Sequence, residues 1–174
     1  MPNLVKLAPF DDDGALRVIV ESPRGSSLKF AYDPALRLFS ISRELPLGLV
    51  YPCDWGFIPG TLGADGDPLD SMVLHTAHSY PGIVLSCRIL GMLRVTQRQR
   101  RGKPEVNNRI IATPSWHTPL AEVTEARDLP KASRKELEQF FVAVVADTGK
   151  RLTIDGWVSQ REAEDFIKKS IVAS

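Results

Sequence analysis

The sequence predicts an α+β domain: a small closed or strongly curved sheet of short strands, followed by two C-terminal helices. Three observations carry this. Short β-branched segments separated by Gly and Pro turns fill the first two thirds of the chain. After Pro114 the texture changes to three-and-four apolar spacing. The 174 residues, 43% hydrophobic and 25% charged, have the size and balance of an ordinary globular fold.

The first strand is expected at 16–21, Leu-Arg-Val-Ile-Val-Glu, stopped by Ser22-Pro23-Arg24-Gly25. Further short strands follow at 28–32 and 36–41, with the turn pair Asp33-Pro34 between them. The β signal continues at 72–75, 83–96 and 109–112, and Gly91 inside the long central segment marks a bulge or bend. In 133–146, Leu137, Phe140, Phe141 and Val144 form a one-sided helical stripe, and Ser133 with Glu136 makes a capping box at its start. A second helix is expected over 159–172, with Ser159 as cap, Glu162 three residues on, and Ala163, Phe166, Ile167 and Ile171 as the stripe. No repeat, low-complexity tract or linker interrupts residues 1–174, which read as one domain.

Composition excludes several functions. Twenty-two basic against 21 acidic side chains leave a net charge of +1, so nothing coats a polyanion, and binding to nucleic acid is disfavoured. No apolar run approaches the roughly 20 residues needed to cross a bilayer, and the first 13 residues lack the basic start and apolar stretch of a signal peptide. Cys53 and Cys87 fit neither a disulfide framework nor a spaced zinc pattern, which points to the cytoplasm with both thiols reduced.

The chemistry concentrates in Asp65-Gly66-Asp67-Pro68-Leu69-Asp70, where Gly and Pro forbid a regular helix. Three carboxylates in six residues repel one another unless a cation sits between them. Mg²⁺ suits such a place, because it takes one or two carboxylates and completes its shell with water and phosphate oxygens. A polar surface turn is the plain alternative, and these six residues alone leave both open. A calcium-binding helix–loop–helix is disfavoured, since no twelve-residue acidic loop ending in Glu is present.

Immediately upstream runs Tyr51-Pro52-Cys53-Asp54-Trp55-Gly56-Phe57-Ile58-Pro59-Gly60-Thr61-Leu62. Together with the acidic turn it resembles the signature of the family I soluble inorganic pyrophosphatases in their compact bacterial form. The likeness extends through Tyr80-Pro81-Gly82, Cys87-Arg88, Asp128-Leu129-Pro130, Phe140-Phe141 and Asp155-Gly156-Trp157, and so covers nearly the whole chain. It implies a small closed, OB-like β-barrel flanked by the two helices, assembled as a homo-oligomer, often a hexamer. It also implies hydrolysis of pyrophosphate with several Mg²⁺ ions. By the family pattern Asp65 and Asp70 ligate metal and Glu21 joins the outer metal shell. Asp67 is the general base toward the attacking water. Lys29, Arg43 and Tyr51 contact phosphate. Taken singly, Lys29 and Arg43 read as solvated charges, Tyr51 as a core or rim aromatic and Glu21 as a strand-end carboxylate.

The sequence also departs from that pattern. Gln97 and Asn107 stand at two aspartates, Ala31 at a glutamate, Ser42 at an aspartate, and Arg109 at a lysine, still on the phosphate side. Trp55 replaces a phosphate-contacting tyrosine, and Val144 and Val145 replace a Tyr-Lys pair that grips substrate. Up to four lost carboxylates predict fewer ions than the family norm, Mg²⁺ or Mn²⁺. One charge-assisted contact is worth about 1.5–3 kcal/mol and each ~1.36 kcal/mol is tenfold in rate, so impaired or altered hydrolysis is expected. The basic stretch Arg98, Arg100, Arg101 and Lys103 either is a solvated loop or brings charge to the phosphate. The alternative function is a catalytically inactive relative that binds a phosphorylated ligand or a partner protein.

Overall fold

The structure, a computed structural model, describes residues 3–99, 101–116 and 119–172. After a 3₁₀ turn at Leu4–Lys6, five strands close a ring: β1 (Leu16–Ser22), β4 (Asp54–Phe57), β5 (Asp70–Val73), β8 (Arg109–Pro114) and β6 (Val84–Gln99), with β6 returning to β1. Closure removes the exposed edges an open sheet of short strands would present. β2 (Leu28–Asp33) and β3 (Leu38–Glu44) form a separate antiparallel hairpin, and β7 (Pro104–Val106) and β9 (Lys150–Val158) pair with the distal half of β6. The two helices are α1 (Lys131–Val144) and α2 (Gln160–Lys169). The expected α+β class and small closed barrel are therefore present.

Gly91 is the hinge of the sixteen-residue β6. The β6–β8 register slips between Ile89 and Gly91, and a Cβ at 91 would stand 2.6 Å from the Val158 carbonyl oxygen. No larger residue fits that approach, so one strand serves β1 with its first half and β7 and β9 with its second.

Several boundaries differ from expectation. β3 starts at Leu38 because Leu36 and Arg37 belong to the turn: the Asp33 carboxylate accepts hydrogen bonds from the Ala35 and Leu36 amides, and Arg37 has φ 57°. α1 starts at Lys131 with Pro130 as its cap, so Ser133 lies inside the first turn and makes no capping box. Proline's fixed φ presets the helix before Ser133 is reached. The Ser159–Glu162 box does form, but α2 ends at Lys169, and Ile171 bridges to Thr61. β4, β7 and β9 were not anticipated. Of the basic stretch, Arg98 lies near the end of β6, and Arg101 and Lys103 are exposed in the turn that leads into β7; Arg100 lies outside the described residues.

Two buried clusters cover opposite faces of the strands. Val18, Val20, Ile110 and Ala112 pack with Ala163 and Ile167 of α2. Trp55, Met72, Leu93 and Ile111 pack with Leu137, Phe140 and Phe141 of α1. β8 is buried along its whole length because both faces and both edges are covered. Side chains alternate along a strand, so Arg109 shares the Ile111 face and Asp70 the Met72 face. Both project toward the α1 side.

Candidate active site

A cavity of about 190 Å³ opens at the polar end of the α1 cluster. Backbone register brings its central pair together: Asp70 and Arg109 are Cα partners in the parallel β5–β8 ladder. A nitrogen of the Arg109 guanidinium, Nη1, donates to both Asp70 Oδ2 and Asn107 Oδ1. The guanidinium carbon lies 4.9 Å from the Trp55 ring centroid and 5.9 Å from that of Phe141, and Arg109 is only 5% exposed. Desolvation pushes the Asp70 carboxyl above its ordinary pKa, and the Arg109 and Lys29 charges oppose that rise.

The acidic turn forms the mouth. Gly66 at φ 88° makes the turn, and Gly63 N–H donates to the Asp67 carbonyl at 2.7 Å. Asp65 and Asp67 are exposed, and both line the cavity with Asp70. Lys29 and Arg43 are cross-strand partners in β2–β3 and stand on the same cavity. Arg43 Nη2 donates to the Val144 carbonyl at 2.6 Å, which ties the hairpin to the end of α1. Tyr51 lines the cavity as a buried aromatic wall, its ring 5.4 Å from Phe140, and burial raises its hydroxyl pKa to about 12.

Glu21 is the residue the geometry sets apart. It lines a neighbouring cleft, which shares Lys29, Trp55, Asp67 and Asp70 with the main cavity. Its Oε1 accepts the Tyr32 amide at 2.8 Å. Desolvation, helped by the charges of Asp70 and Asp67, lifts its pKa from 4.5 to about 7, against the pull of that hydrogen bond and of Lys29. Gln97, Asn107, Val144 and Val145 all line the cavity. Arg98, Arg101 and Lys103 are exposed and none lines it, so these three bring no charge there. The cation that sequence reasoning missed is Lys150, at the start of β9. Only the pairing of β9 with β6 carries it to the cavity, and the undetected strand hid that signal.

Among the described residues, no three of His, Cys, Asp or Glu converge tightly enough to hold a metal by themselves. The donor set nevertheless fits a hard dication that borrows phosphate and water oxygens. Asp65 and Asp67 have no ion-pair partner among the described residues, and Arg109 engages one Asp70 oxygen, Oδ2. The fit fails between Asp70 and Asn107, where the guanidinium already lies.

Comparison with known proteins agrees with this geometry. Residues 18–174 match the sequence pattern of the family described as inorganic pyrophosphatase. The chain is 34% identical over 176 residues to the inorganic pyrophosphatase of Thermus thermophilus, covering 98% of this chain and 97% of that protein. It is 36% identical over 159 residues to that of Saccharolobus solfataricus, covering 90% of each. The crystal structure of the Thermus thermophilus protein superimposes with a TM-score of 0.88 at 32% identity, over 98% of this chain and 97% of that one. The inorganic pyrophosphatase structure from Helicobacter pylori gives 0.85 at 27%, over 95% and 96%.

Proposed function

The chain belongs to the inorganic pyrophosphatase family, and from that premise we infer that this cavity hydrolyses inorganic pyrophosphate to two phosphates. The observation that supports it is the convergence of Asp65, Asp67 and Asp70 with Lys29, Arg43 and Lys150 on one cavity. Anhydride hydrolysis needs both sets: cations to gather a polyanion, and a carboxylate to take a proton from water.

In this reading Lys29 and Lys150 act as point charges on phosphate oxygens and Arg43 as a fork. Asp67, at the exposed mouth, takes one proton as the water oxygen bonds to a phosphorus. The bond from that phosphorus to the bridging oxygen breaks, and the electron pair leaves with the second phosphate. One water is consumed and two phosphates depart. Tyr51, Trp55 and Phe140 wall the site and limit bulk water. Asp65 and the remaining Asp70 oxygen would hold a divalent ion, Mg²⁺ or Mn²⁺, with Glu21 behind them. Such an ion, when bound, polarises the phosphoryl oxygens.

Turnover is proposed to be slower than in relatives carrying the full charge set. Gln97, Ala31 and Asn107 supply no carboxylate, and Val145 supplies no cation, although Lys150 offsets part of that loss. A homo-oligomer is proposed as well, supported by the apolar side chains Leu36, Leu38, Ile41 and Leu47 left exposed on and beside the hairpin. A cytoplasmic setting is supported by Cys53 and Cys87, both buried and unpaired. No helix among the described residues is long and apolar enough to cross a membrane.

The test is phosphate release from pyrophosphate by purified protein with Mg²⁺ or Mn²⁺. Metal-dependent release that Asp67→Asn abolishes is the expected result. Absence of release would leave a ligand-binding relative of the family and no hydrolase, and release unchanged in the variant would take the role of base away from Asp67.

A further inference from the structure

We propose that the Arg109 guanidinium is a resident cation that fills the position between Asp70 and Asn107, so that this cavity takes its divalent ion only on the Asp65 side. The inference rests on the hydrolase reading above and concerns how many ions that site admits.

Two oxygens from different chain segments, Asp70 Oδ2 on β5 and Asn107 Oδ1 before β8, converge on a single nitrogen, Arg109 Nη1. Convergence on one point is what oxygen ligands do around an ion; here the point is occupied by a covalently tethered charge. The tether is short and fixed. Asp70 and Arg109 are register partners in the β5–β8 ladder, and Leu93 of β6 holds Arg109 from the other side.

The head group is also boxed. Trp55 and Phe141 take it at 4.9 Å and 5.9 Å, and its side chain is 6% exposed. A planar, weakly hydrated, delocalised cation suits an aromatic box, whereas a small ion that surrenders water reluctantly does not. A dication placed beside it would meet a guanidinium at close range, and the single charge of Asp70 cannot neutralise both. On the other side of Asp70, Asp65 and Asp67 have no ion-pair partner among the described residues. Asn at 107 belongs to the same arrangement, because a neutral oxygen suffices to orient a guanidinium that Asp70 already neutralises.

Crystals of the wild-type protein soaked in MnCl₂ test this directly by anomalous scattering. The expected map has manganese at Asp65 and none between Asp70 and Asn107. In solution, the paramagnetic resonance signal of free Mn²⁺ counts bound ions. Arg109→Met and Arg109→Gln, which keep a stem in the aromatic box and remove the charge, are expected to bind one more ion per chain than wild type. Arg109→Lys, which keeps the charge, is expected to hold the wild-type count. Manganese between Asp70 and Asn107 in wild type, or no ion gained in folded Arg109→Met or Arg109→Gln, overturns the proposal. If wild type hydrolyses pyrophosphate and the neutral variants gain nothing, this inference alone fails. If wild type releases no phosphate and holds no manganese anywhere, the hydrolase reading fails with it.

Discussion

Two aspartates, Asp54 and Asp70, lie on neighbouring strands, each facing a basic side chain, and their carboxyls are displaced in opposite directions. Asp54 is sealed. Its Oδ2 lies 2.7 Å from His75 Nε2, its Oδ1 accepts the Arg24 amide at 2.8 Å, and the side chain is fully buried. Burial alone would raise its pKa, but the hydrogen bonds outweigh burial and hold it below the usual carboxylate value. Asp70 keeps 23% of its side chain open to the cavity, and desolvation wins over Arg109, so its pKa rises. A carboxylate whose lone pairs are filled by protein donors is a structural fixture. One left short of positive charge at the edge of a cavity is poised for a further cation, and that need is what separates the functional region from the scaffold.

The largest expected effect probes the cavity side. Asp67→Asn should lower kcat by about 10²–10⁴-fold, while the midpoint of urea unfolding stays put because Asp67 is exposed. A coupled loss of stability would mean that the acidic turn belongs to the scaffold.

Next comes the sealed pair. Asp54→Ala strands the buried His75 imidazole, removes the acceptor of the partly buried Arg24 amide and should lower unfolding free energy by about 1–3 kcal/mol, with kcat of the folded fraction unchanged. The pH dependence has a definite sign. A depressed folded pKa contributes stability that is present above the unfolded aspartate value, near ~3.9, and is lost as pH falls through the folded one. The variant should therefore flatten the acid limb of stability against pH, and an unchanged limb would show that Asp54 is not its source.

A smaller effect is expected at Lys150. Lys150→Gln removes one cation from the cavity and should reduce kcat/KM about tenfold, the low end of a charge-assisted contact. No change in steady-state kinetics would remove Lys150 from the substrate contacts. The smallest is remote from both aspartates: Ser159→Ala deletes the α2 cap, in which Ser159 Oγ accepts the Glu162 amide, and should cost about 1 kcal/mol by urea unfolding without touching activity.

Legibility in the sequence followed the range of the physics. The α2 cap is local, and Ser159 with Glu162 announced it; β1 was visible as a β-branched run ended by Ser-Pro, and β2 as a short apolar segment ended by Asp-Pro. Ser133 misled because a capping pattern three residues long cannot reveal that Pro130 has already set the helix. β4 and β9 were missed because Asp54-Trp55-Gly56-Phe57 is only four residues long and half Asp and Gly, and 150–158 is interrupted by Asp155-Gly156, so both owe their strand state to partners far along the chain. At the site, the acidic turn is legible by residue type and spacing along one segment, whereas Lys29, Arg43 and Tyr51, which singly read as solvated charges and a core or rim aromatic, are marked by the family resemblance alone. The pairing of Arg109 with Asp70, and the arrival of Lys150, depend on ladder register and appear only once the strands are paired. Ligand recognition and structural pairing use the same residue types, so the contrast between Asp54 and Asp70 emerges only in the folded chain.

The most direct test of the account is a crystal of Asp67→Asn grown with Mg²⁺ and pyrophosphate. The account predicts diphosphate in the cavity, in contact with Lys29 and Arg43, with Arg109 still bridging Asp70 and Asn107. A cavity holding only solvent, or diphosphate bound away from the Asp65–Asp70 turn, would contradict it.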